Sequence, residues 1–388
     1  MDMILAAFFG VLALAIGLYS LSIRQGAGTW WALAGLIALL VIAATLAGHS
    51  WTGVILLNIA ELLAVALVWL RGTPEAVSAA RKYLWCIVPA IACTLAGFAI
   101  LGSATEVPSP ALQKLAVGLL VVGFALKLGL VPFYFWLPEV AAHASTMSAA
   151  VVISLVDIAT FAELAALRVT APWIFDQYAA VWTSVAIFSL LGGSLLALAQ
   201  RDLKRMLAFS SIHDLGLLLL GVVAGGVGLP GAWIGALNHA LCKVVLFGAV
   251  GMAEQRIGRA VTLDTRGLGA QVPLAAAAFV IAAFGLMGVP PGFGFAGYWR
   301  LYAAGAQFGG PLLLTILIAA AALDLLCYAR AIHRTWFGAT EIALDRQRPA
   351  YLAGGVLVGL AAAEVLLGLW PNVLTGFIST FGQVALAR

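Results

Sequence analysis

Charged side chains are scarce in this sequence. Asp, Glu, Lys and Arg together make up 9% of its 388 residues, hydrophobic residues make up 64%, and the mean hydropathy is +1.09. A soluble globular domain carries about 25% charged residues, so this chain lacks the polar side chains to cover a surface that faces water. The composition excludes a soluble protein, and the net charge of +4 does not indicate a nucleic-acid partner. We expect a lipid bilayer to surround the chain.

Cysteine clusters and enzyme motifs are also lacking. The four cysteines form no CxxC pair and no Cys/His group with the spacing of a metal site. The sequence has no P-loop, no HExxH motif and no GxGxxG motif after a strand, and its longest loop, around 331–349, is too short for an aqueous domain. We therefore expect no cofactor, no metal site and no catalytic residue in this chain.

Long apolar runs, bounded by charged residues, glycine or proline, follow one another along the chain. A membrane-spanning helix needs roughly 20 apolar residues. The first run has no basic segment before it and no small-residue cleavage site after it, which favours a first span over a removed signal peptide. The sequence predicts an all-α polytopic membrane protein with about 12 transmembrane helices. The candidate spans are 3–22, 30–47, 53–70, 83–102, 115–142, 147–167, 179–199, 206–224, 232–253, 272–308, 311–330 and 350–370.

Two of these runs are too interrupted to form ordinary helices. Val131-Pro132 and Leu137-Pro138 interrupt the run at 115–142, and the segment GVPPG at 288–292 interrupts the run at 272–308. The two broken helices are five spans apart, and an odd number of crossings per unit inverts the second unit relative to the first. We expect a single membrane domain over 1–388 with two inverted five-helix repeats, each with one broken helix. Its parts are N-terminal spans at 3–47, a first repeat at about 30–167, a second repeat at about 179–330, and a C-terminal span and tail at 350–388.

Lysine and arginine are distributed unevenly among the loops. If the N-terminus lies outside, 14 of the 20 basic residues fall in inner loops, three in outer segments and three within spans. This bias follows the positive-inside rule. It predicts a multi-pass protein of the cell (plasma or inner) membrane with both termini outside. The inner residues are Arg24, Arg71, Arg81, Lys82, Arg201, Lys204, Arg205, Arg256, Arg259, Arg266, Arg330, Arg334, Arg346 and Arg348, and the outer ones are Lys114, Arg168 and Arg388.

Ionisable side chains recur inside the predicted spans. A charge at bilayer depth costs several kcal/mol on most scales, so each of these residues is a candidate for function. A structural role is the alternative for Glu163 and Asp324, and Arg300 could simply extend its head group to the membrane surface. Glu364, late in the last span, is expected to be structural. The candidates are Glu61, Lys127, Asp157, Glu163, His213, Asp214, His239, Lys243, Arg300 and Asp324.

Some of these charges have neighbours that favour proton exchange. His239 and Lys243 are four residues apart and therefore share one face of a helix. Lys127 precedes the first proline break, where unwound backbone admits water and offers free carbonyl groups. Burial favours the neutral amine of a lysine, whereas a nearby carboxylate favours the ammonium. A pair formed by Glu61 and Lys127 could therefore switch its protonation state with the distance between the partners.

Four stretches of the chain carry a combined pattern. They are NIAELLAVALVWLRGTPEAVSAARKYL with a central glutamate, FALKLGLVPFYFWLPEV with a lysine before a helix break, QRDLKRMLAFSSIHDLG, and LNHALCKVVLFGAVG with its His-x-x-x-Lys element, which is followed by a GVPPxxGF-like segment. Together they resemble the antiporter-like membrane subunits of respiratory complex I, complex I-related hydrogenases and Mrp-type cation/proton antiporters. The resemblance extends from about residue 50 to 375.

The resemblance implies a path for protons and partners beside the chain. Glu61, Lys127, His239 and Lys243 match the family's proton-path positions, and other membrane subunits of the complex would be the partners. We place Asp157, Asp214, Arg300 and Asp324 on the same predicted path. Two departures from the family bear on its completeness. The span after the first broken helix has Asp157 and Glu163 where the family usually has lysine or histidine, and Tyr298 stands where a lysine often follows the second break.

The sequence thus predicts a proton-translocating, antiporter-like subunit of a membrane complex related to complex I, of the NADH:quinone oxidoreductase or hydrogenase type. One alternative is a subunit of a cation/proton antiporter or of an inorganic-carbon uptake complex. Another is a scaffold subunit that keeps the fold and does not conduct. We also expect the chain to be shorter than full-length family members by N-terminal spans.

Overall fold

The computed structural model describes residues 2–23, 26–102, 109–338 and 351–370. Within these ranges the only β-type pairing is an isolated bridge between Asp202 and Thr262. The predicted all-α class is therefore confirmed. The α-helices are α1 Asp2–Ser22, α2 Gly28–Ala47, α3 Trp51–Trp69, α4 Pro74–Gly102, α5 Pro110–Lys127, α6 Leu137–His143, α7 Thr146–Ala150, α8 Asp157–Thr170, α9 Trp173–Asp176, α10 Ala179–Ala199, α11 Leu203–Ala224, α12 Gly228–Ile257, α13 Leu268–Gln271, α14 Pro273–Leu286, α15 Phe293–Ala331 and α16 Tyr351–Leu369. A 3₁₀-helix (Tyr134–Trp136) precedes α6, and π-helices (Val151–Val156 and Ile332–Trp336) join α7 to α8 and extend α15.

Eleven helices in the described part of the chain are long and apolar enough to cross a membrane. The longest, α15 with the π-helix after it, bends at Gly310, whose φ of 65° interrupts the helical geometry. The shorter α14 and the first half of α15 form the broken crossing predicted at 272–308, and the second half of α15 matches the span predicted at 311–330. With each broken helix counted once, the described helices make the twelve crossings that the sequence predicts.

Both predicted helix breaks are present. The first separates α5 from α6, and the second separates α14 from α15. Gly129 has a φ of 59° in the first break and Gly288 a φ of 67° in the second, which are left-handed conformations that glycine adopts without steric cost. Pro138, predicted to interrupt the first run, instead lies in the opening turn of α6. A proline fits there because the first N–H groups of a helix have no acceptor within it.

Several of the predicted inner loops meet on one surface of the bundle. Glu139 in α6 forms ion pairs with Lys82 at 2.8 Å and with Arg205 at 2.7 Å. Arg330, at the end of α15, donates a hydrogen bond to the carbonyl of Gln200 at 3.0 Å, and the bridge noted above joins the segment at 200–205 to the one at 254–268. We call this surface the basic face; it carries the segments at 71–82, 200–205 and 254–268 and the C-terminal end of α15.

Some sequence predictions lie beyond what the structure tests. Arg24, Arg346, Arg348 and Arg388, together with the tail at 371–388, lie outside the described residues. The limits of the two inverted repeats and the single-domain assignment over 1–388 stay predictions.

Helices α11 and α12 form the centre of the bundle. Both are buried throughout their apolar stretches, whereas α2 buries only about a fifth of its own. α11 packs on α10 and α12, and α12 also contacts α14, α15 and α16. Gly193 in α10 lets the backbones of α10 and α11 approach, since a Cβ there would lie 2.4 Å from the backbone nitrogen of His213. Polar groups on α11 and α12 are therefore held away from lipid and water.

Candidate functional site

Lys127 is the last residue of α5 and faces buried polar side chains on α3. Its Nζ lies 3.1 Å from Oε2 of Glu61 and donates a hydrogen bond to Oδ1 of Asn58 at 2.6 Å. The side chains of Lys127 and Glu61 are each 1% exposed. The helix break puts the lysine at the C-terminal end of α5, where unpaired carbonyl groups favour a cation. The structure thus joins the predicted pair in a buried ion pair.

A second carboxylate contacts the same lysine from α8. Oε2 of Glu163 lies 3.7 Å from Nζ of Lys127. Thr160, one turn earlier, donates a hydrogen bond to Oε1 of Glu61 at 2.9 Å. Asp157 is also buried on α8, and its Oδ2 has no hydrogen-bond partner among the described residues. The lysine therefore lies between two carboxylates, with a third acid nearby on the same helix.

Lys243, on α12, is the centre of a second buried cluster. Its Nζ donates hydrogen bonds to the hydroxyl of Ser210 at 2.6 Å, the carbonyl of Leu207 at 3.1 Å and the hydroxyl of Tyr328 at 3.3 Å. The same atom lies 3.4 Å from Oδ2 of Asp214. The Ser210 and Tyr328 hydroxyls are themselves 3.0 Å apart. The ammonium is thus fully coordinated by oxygen atoms from α11 and α15.

His239 lies one turn before Lys243 and shares its carboxylate. Nδ1 of His239 is 3.0 Å from Oδ2 of Asp214, so the Nδ1–H donates to the carboxylate. The Nε2 of the same ring has no hydrogen-bond partner among the described residues. The predicted His239–Lys243 face is therefore present, and Asp214 is its counter-charge. This arrangement allows a proton to reside on any of the three groups.

The structure also brings Asp324 to this cluster. A nitrogen of His213 and one carboxylate oxygen each of Asp214 and Asp324 lie within 4.8 Å of one another. Three such ligands could hold a metal ion, and the Lys243 ammonium lies 3.4 Å from Oδ2 of the same Asp214. Nδ1 of His213 lies 2.7 Å from the Ser194 hydroxyl. The same buried groups can also hold or pass a proton.

Arg300 is a predicted path residue that lies apart from both buried clusters. Its guanidinium donates a hydrogen bond to the carbonyl of Ala296, one turn earlier on its own helix. Among the described residues it forms no ion pair with either cluster. Tyr298 is buried on α15, and its hydroxyl has no hydrogen-bond partner in the described part of the chain. A role for Arg300 on the proton path stays a prediction.

Glu364, expected to be structural, caps a helix at the second break. Its Oε1 accepts a hydrogen bond from the backbone N–H of Phe293 at 2.9 Å. Phe293 begins α15, and the partial positive charge of a helix N-terminus stabilises a carboxylate. The last helix is thereby held against the broken one.

Several polar members of the clusters were not predicted from the sequence. They lie one helical turn from a predicted charge, since Asn58 precedes Glu61 by three residues and Tyr328 follows Asp324 by four. That spacing was the available signal. Glu163 was assigned no path role, although it is spaced three residues from Thr160 on the helix face that meets Lys127.

Residues 86–323 match the transmembrane family described as NADH:quinone oxidoreductase/Mrp antiporter. The chain belongs to this family. NADH-quinone oxidoreductase subunit N of Geotalea uraniireducens is 29% identical over 322 residues, which cover 79% of this chain and 68% of that protein. Subunit N of Desulforudis audaxviator is 30% identical over 376 residues, 89% of this chain and 73% of that protein. Several other subunit N proteins are matched over only 50% to 61% of their own length.

Solved structures of similar proteins share the fold. A chain of respiratory complex I from Thermus thermophilus superposes with a TM-score of 0.81 at 27% identity, covering 95% of this chain and 84% of that chain. A chain of the Mrp complex from Dietzia sp. DQ12-45-1b gives a TM-score of 0.86 at 22% identity, covering 97% of this chain and 81% of that chain. The resemblance inferred from the four sequence stretches is confirmed, and the chain is a multi-pass membrane protein.

Proposed function

We propose that the chain is a proton-translocating, antiporter-like subunit of a membrane complex related to respiratory complex I. The observation that carries this proposal is the buried ammonium of Lys127 between two carboxylates at a helix break. A buried ion pair is weak evidence for stability, because desolvation offsets much of the attraction. Function is the better explanation for keeping two such clusters inside a bilayer.

The geometry suggests how the first cluster could switch. With an effective dielectric constant of about 20, the attraction of Lys127 to Glu61 at 3.1 Å is about 5 kcal/mol, and that to Glu163 at 3.7 Å is only about 1 kcal/mol weaker. A displacement of the ammonium by less than about 1 Å would therefore reverse the preference. A change in charge on one carboxylate would be passed to the other through the lysine.

The second cluster would act in the same way. Lys243 shares Asp214 with His239, so a proton that arrives at one group changes the field at the other two. The hydroxyls of Ser210 and Tyr328 can both accept and donate hydrogen bonds, as relay groups must. We propose that Glu61, Lys127, Asp157, Asp214, His239, Lys243 and Asp324 belong to the path. The partners are other membrane subunits, whose reaction supplies the energy.

We propose further that the basic face is cytoplasmic and that both termini lie outside. The basic residues that gather on this face support the orientation, because cytoplasmic loops of membrane proteins carry an excess of lysine and arginine.

The function can be tested in inverted membrane vesicles that contain the chain with its co-purifying partners. Glu61→Gln and Lys127→Ala should each abolish most proton translocation, measured by quenching of a pH-gradient dye, while the complex still assembles on native gels. The matched controls lie on the partly exposed basic face: Lys82→Ala breaks the ion pair with Glu139, and Glu139→Gln breaks the ion pairs of Glu139 with Lys82 and Arg205, which are of small energetic value. Normal translocation in both Glu61→Gln and Lys127→Ala would favour the scaffold alternative. Translocation that requires sodium or inorganic carbon would favour the carrier alternative.

A further inference from the structure

A cavity of about 290 Å³ enters the bundle at the end remote from the basic face. It opens between the start of α1 at Asp2 and the α2–α3 connection at His49, and it runs along the first turns of α3 and most of α8. α3 passes from this opening to Trp69, beside the basic loop at 71–82, so the cavity and the basic face lie at opposite ends of one helix.

The inner wall of the cavity includes Glu163. The side chain of Glu163 is 6% exposed, and its Oε1 has no hydrogen-bond partner among the described residues. Its other oxygen, Oε2, lies 3.7 Å from Nζ of Lys127. A buried carboxylate with an unpaired oxygen incurs a desolvation penalty unless water or an ion reaches it. Glu163 is thus positioned between Lys127 and the cavity.

We propose that this cavity is an aqueous access route and that Glu163 exchanges the proton of Lys127 with the water inside it. This inference rests on the proposed proton translocation and names the side chain that connects its first cluster to one membrane surface. In the outward step, the ammonium of Lys127 gives a proton to the carboxylate of Glu163, and both groups become neutral. The carboxylic acid then releases that proton to water, and Lys127 is recharged from the rest of the path.

The chemistry of the wall supports intermittent filling by water. A water molecule occupies about 30 Å³ of liquid, so the cavity has room for several. Most of the wall is aliphatic, but Asp2, Thr45, His49, Glu163 and Thr170 supply polar partners along it. A largely apolar passage holds water when its wall carries a charge and dries when that charge is lost. Such dewetting gates conduction at hydrophobic constrictions. An ionised Glu163 would hold water in the cavity, and a neutral one would let it drain.

The mouth of the cavity carries a further group that can accept a proton. His49 lies in the connection between α2 and α3, and burial lowers its pKa below the usual 6.5 of histidine. It is therefore neutral at pH 7 and can accept a proton that leaves the cavity. A neutral imidazole does not repel an arriving proton, as a permanently cationic residue at the mouth would.

Cysteine accessibility tests whether water reaches Glu163. Ala166→Cys and Glu163→Cys would be made in a chain whose four native cysteines are replaced by alanine. Leu164→Cys is the control, because Leu164 is buried on the same helix and does not line the cavity. A charged, membrane-impermeant thiosulfonate would be added to right-side-out or inverted vesicles. We expect modification at 163 and 166 only in right-side-out vesicles, and none at 164. Protection of both positions, as by a lipid chain that fills the cavity, would overturn the access route.

Translocation measurements test whether the proton uses the route. Glu163→Gln should lower the initial rate of translocation by about tenfold or more, and Glu163→Asp should restore part of it, while both assemble as the wild type does. A wild-type rate in Glu163→Gln would overturn the inference even if position 163 is labelled. The proposed function itself fails on different evidence, namely wild-type rates in Glu61→Gln and Lys127→Ala.

Discussion

Replacing Lys243 by arginine separates the charge of this side chain from its ability to release a proton. An arginine side chain stays protonated at any accessible pH, whereas a lysine can become neutral when its surroundings change. Lys243 is 0% exposed and lies 3.4 Å from Oδ2 of Asp214. With an effective dielectric constant of about 20, that separation corresponds to about 5 kcal/mol of attraction, most of which an arginine would keep. Lys243→Arg thus preserves the field at Asp214 and removes proton transfer.

The larger guanidinium also perturbs packing, and this effect must be measured separately. Overpacking in a buried site costs about 1–3 kcal/mol, which lowers the melting temperature of the complex without blocking a proton path. Loss of a proton-transfer group lowers a rate by about 100-fold or more. We therefore expect Lys243→Arg to assemble, to melt at a slightly lower temperature, and to translocate protons at about 1% of the wild-type rate.

The assay is dye quenching in inverted vesicles, with native gels and a thermal-melt measurement on the same preparations. Lys204→Arg is the matched control, since Lys204 is also buried and ion-paired, 3.0 Å from Glu254, but lies on the basic face away from both clusters. It should translocate protons at nearly the wild-type rate. A fully active Lys243→Arg, with Lys243→Ala inactive, would show that the position needs only charge and would refute proton relay through this side chain.

Three further outcomes are expected. Cysteines that replace the exposed Arg201 and Lys114 should be labelled from opposite sides of the membrane, Arg201→Cys from the cytoplasm. Labelling of Arg201→Cys from outside would contradict the proposed topology. Glu364→Ala should lower the free energy of unfolding by about 1–3 kcal/mol, because it leaves the buried N–H of Phe293 unpaired, and a melting temperature equal to the wild type would argue against that cap. The purified chain alone in liposomes should give no cation-dependent pH change, since its partners supply the driving reaction; robust sodium-driven proton exchange would indicate a self-sufficient antiporter.

The fold was largely predictable because hydrophobic length and charge position are local properties of a sequence. The apolar runs and the two Gly/Pro breaks appear in the order of the chain and correspond to helices and helix breaks of the described residues, and the described basic segments gather on one face. The exact start of a helix was less predictable. α4 begins at Pro74, well before the apolar run at 83–102, because its first turns lie along the basic face, where polar residues are tolerated.

The site was predictable as far as charge at bilayer depth indicates function. Glu61, Lys127, Asp214 and Lys243 stand out for that reason, but their partners depend on how the helices are turned toward one another. The contact of Glu163 with Lys127 joins α8 to α5 across a helix break. No periodicity within either helix predicts such a contact, because rotation and tilt are set by packing against neighbouring helices.

The π-helix at Val151–Val156 sets the angular phase between two anchored parts of one crossing. On its N-terminal side, Ser148 accepts a hydrogen bond from the indole of Trp30 at 2.9 Å; on its C-terminal side, α8 turns Glu163 toward Lys127. An α-helix advances about 100° per residue, and a π turn holds one residue more than an α turn. Deleting one residue together with the π turn would leave the two anchors in phase, whereas winding the same residues as a regular α-helix would rotate one anchor by about 100° relative to the other. That rotation would separate either the indole of Trp30 from the Ser148 hydroxyl or Lys127 from Glu163. The π turn therefore lets one crossing keep both contacts.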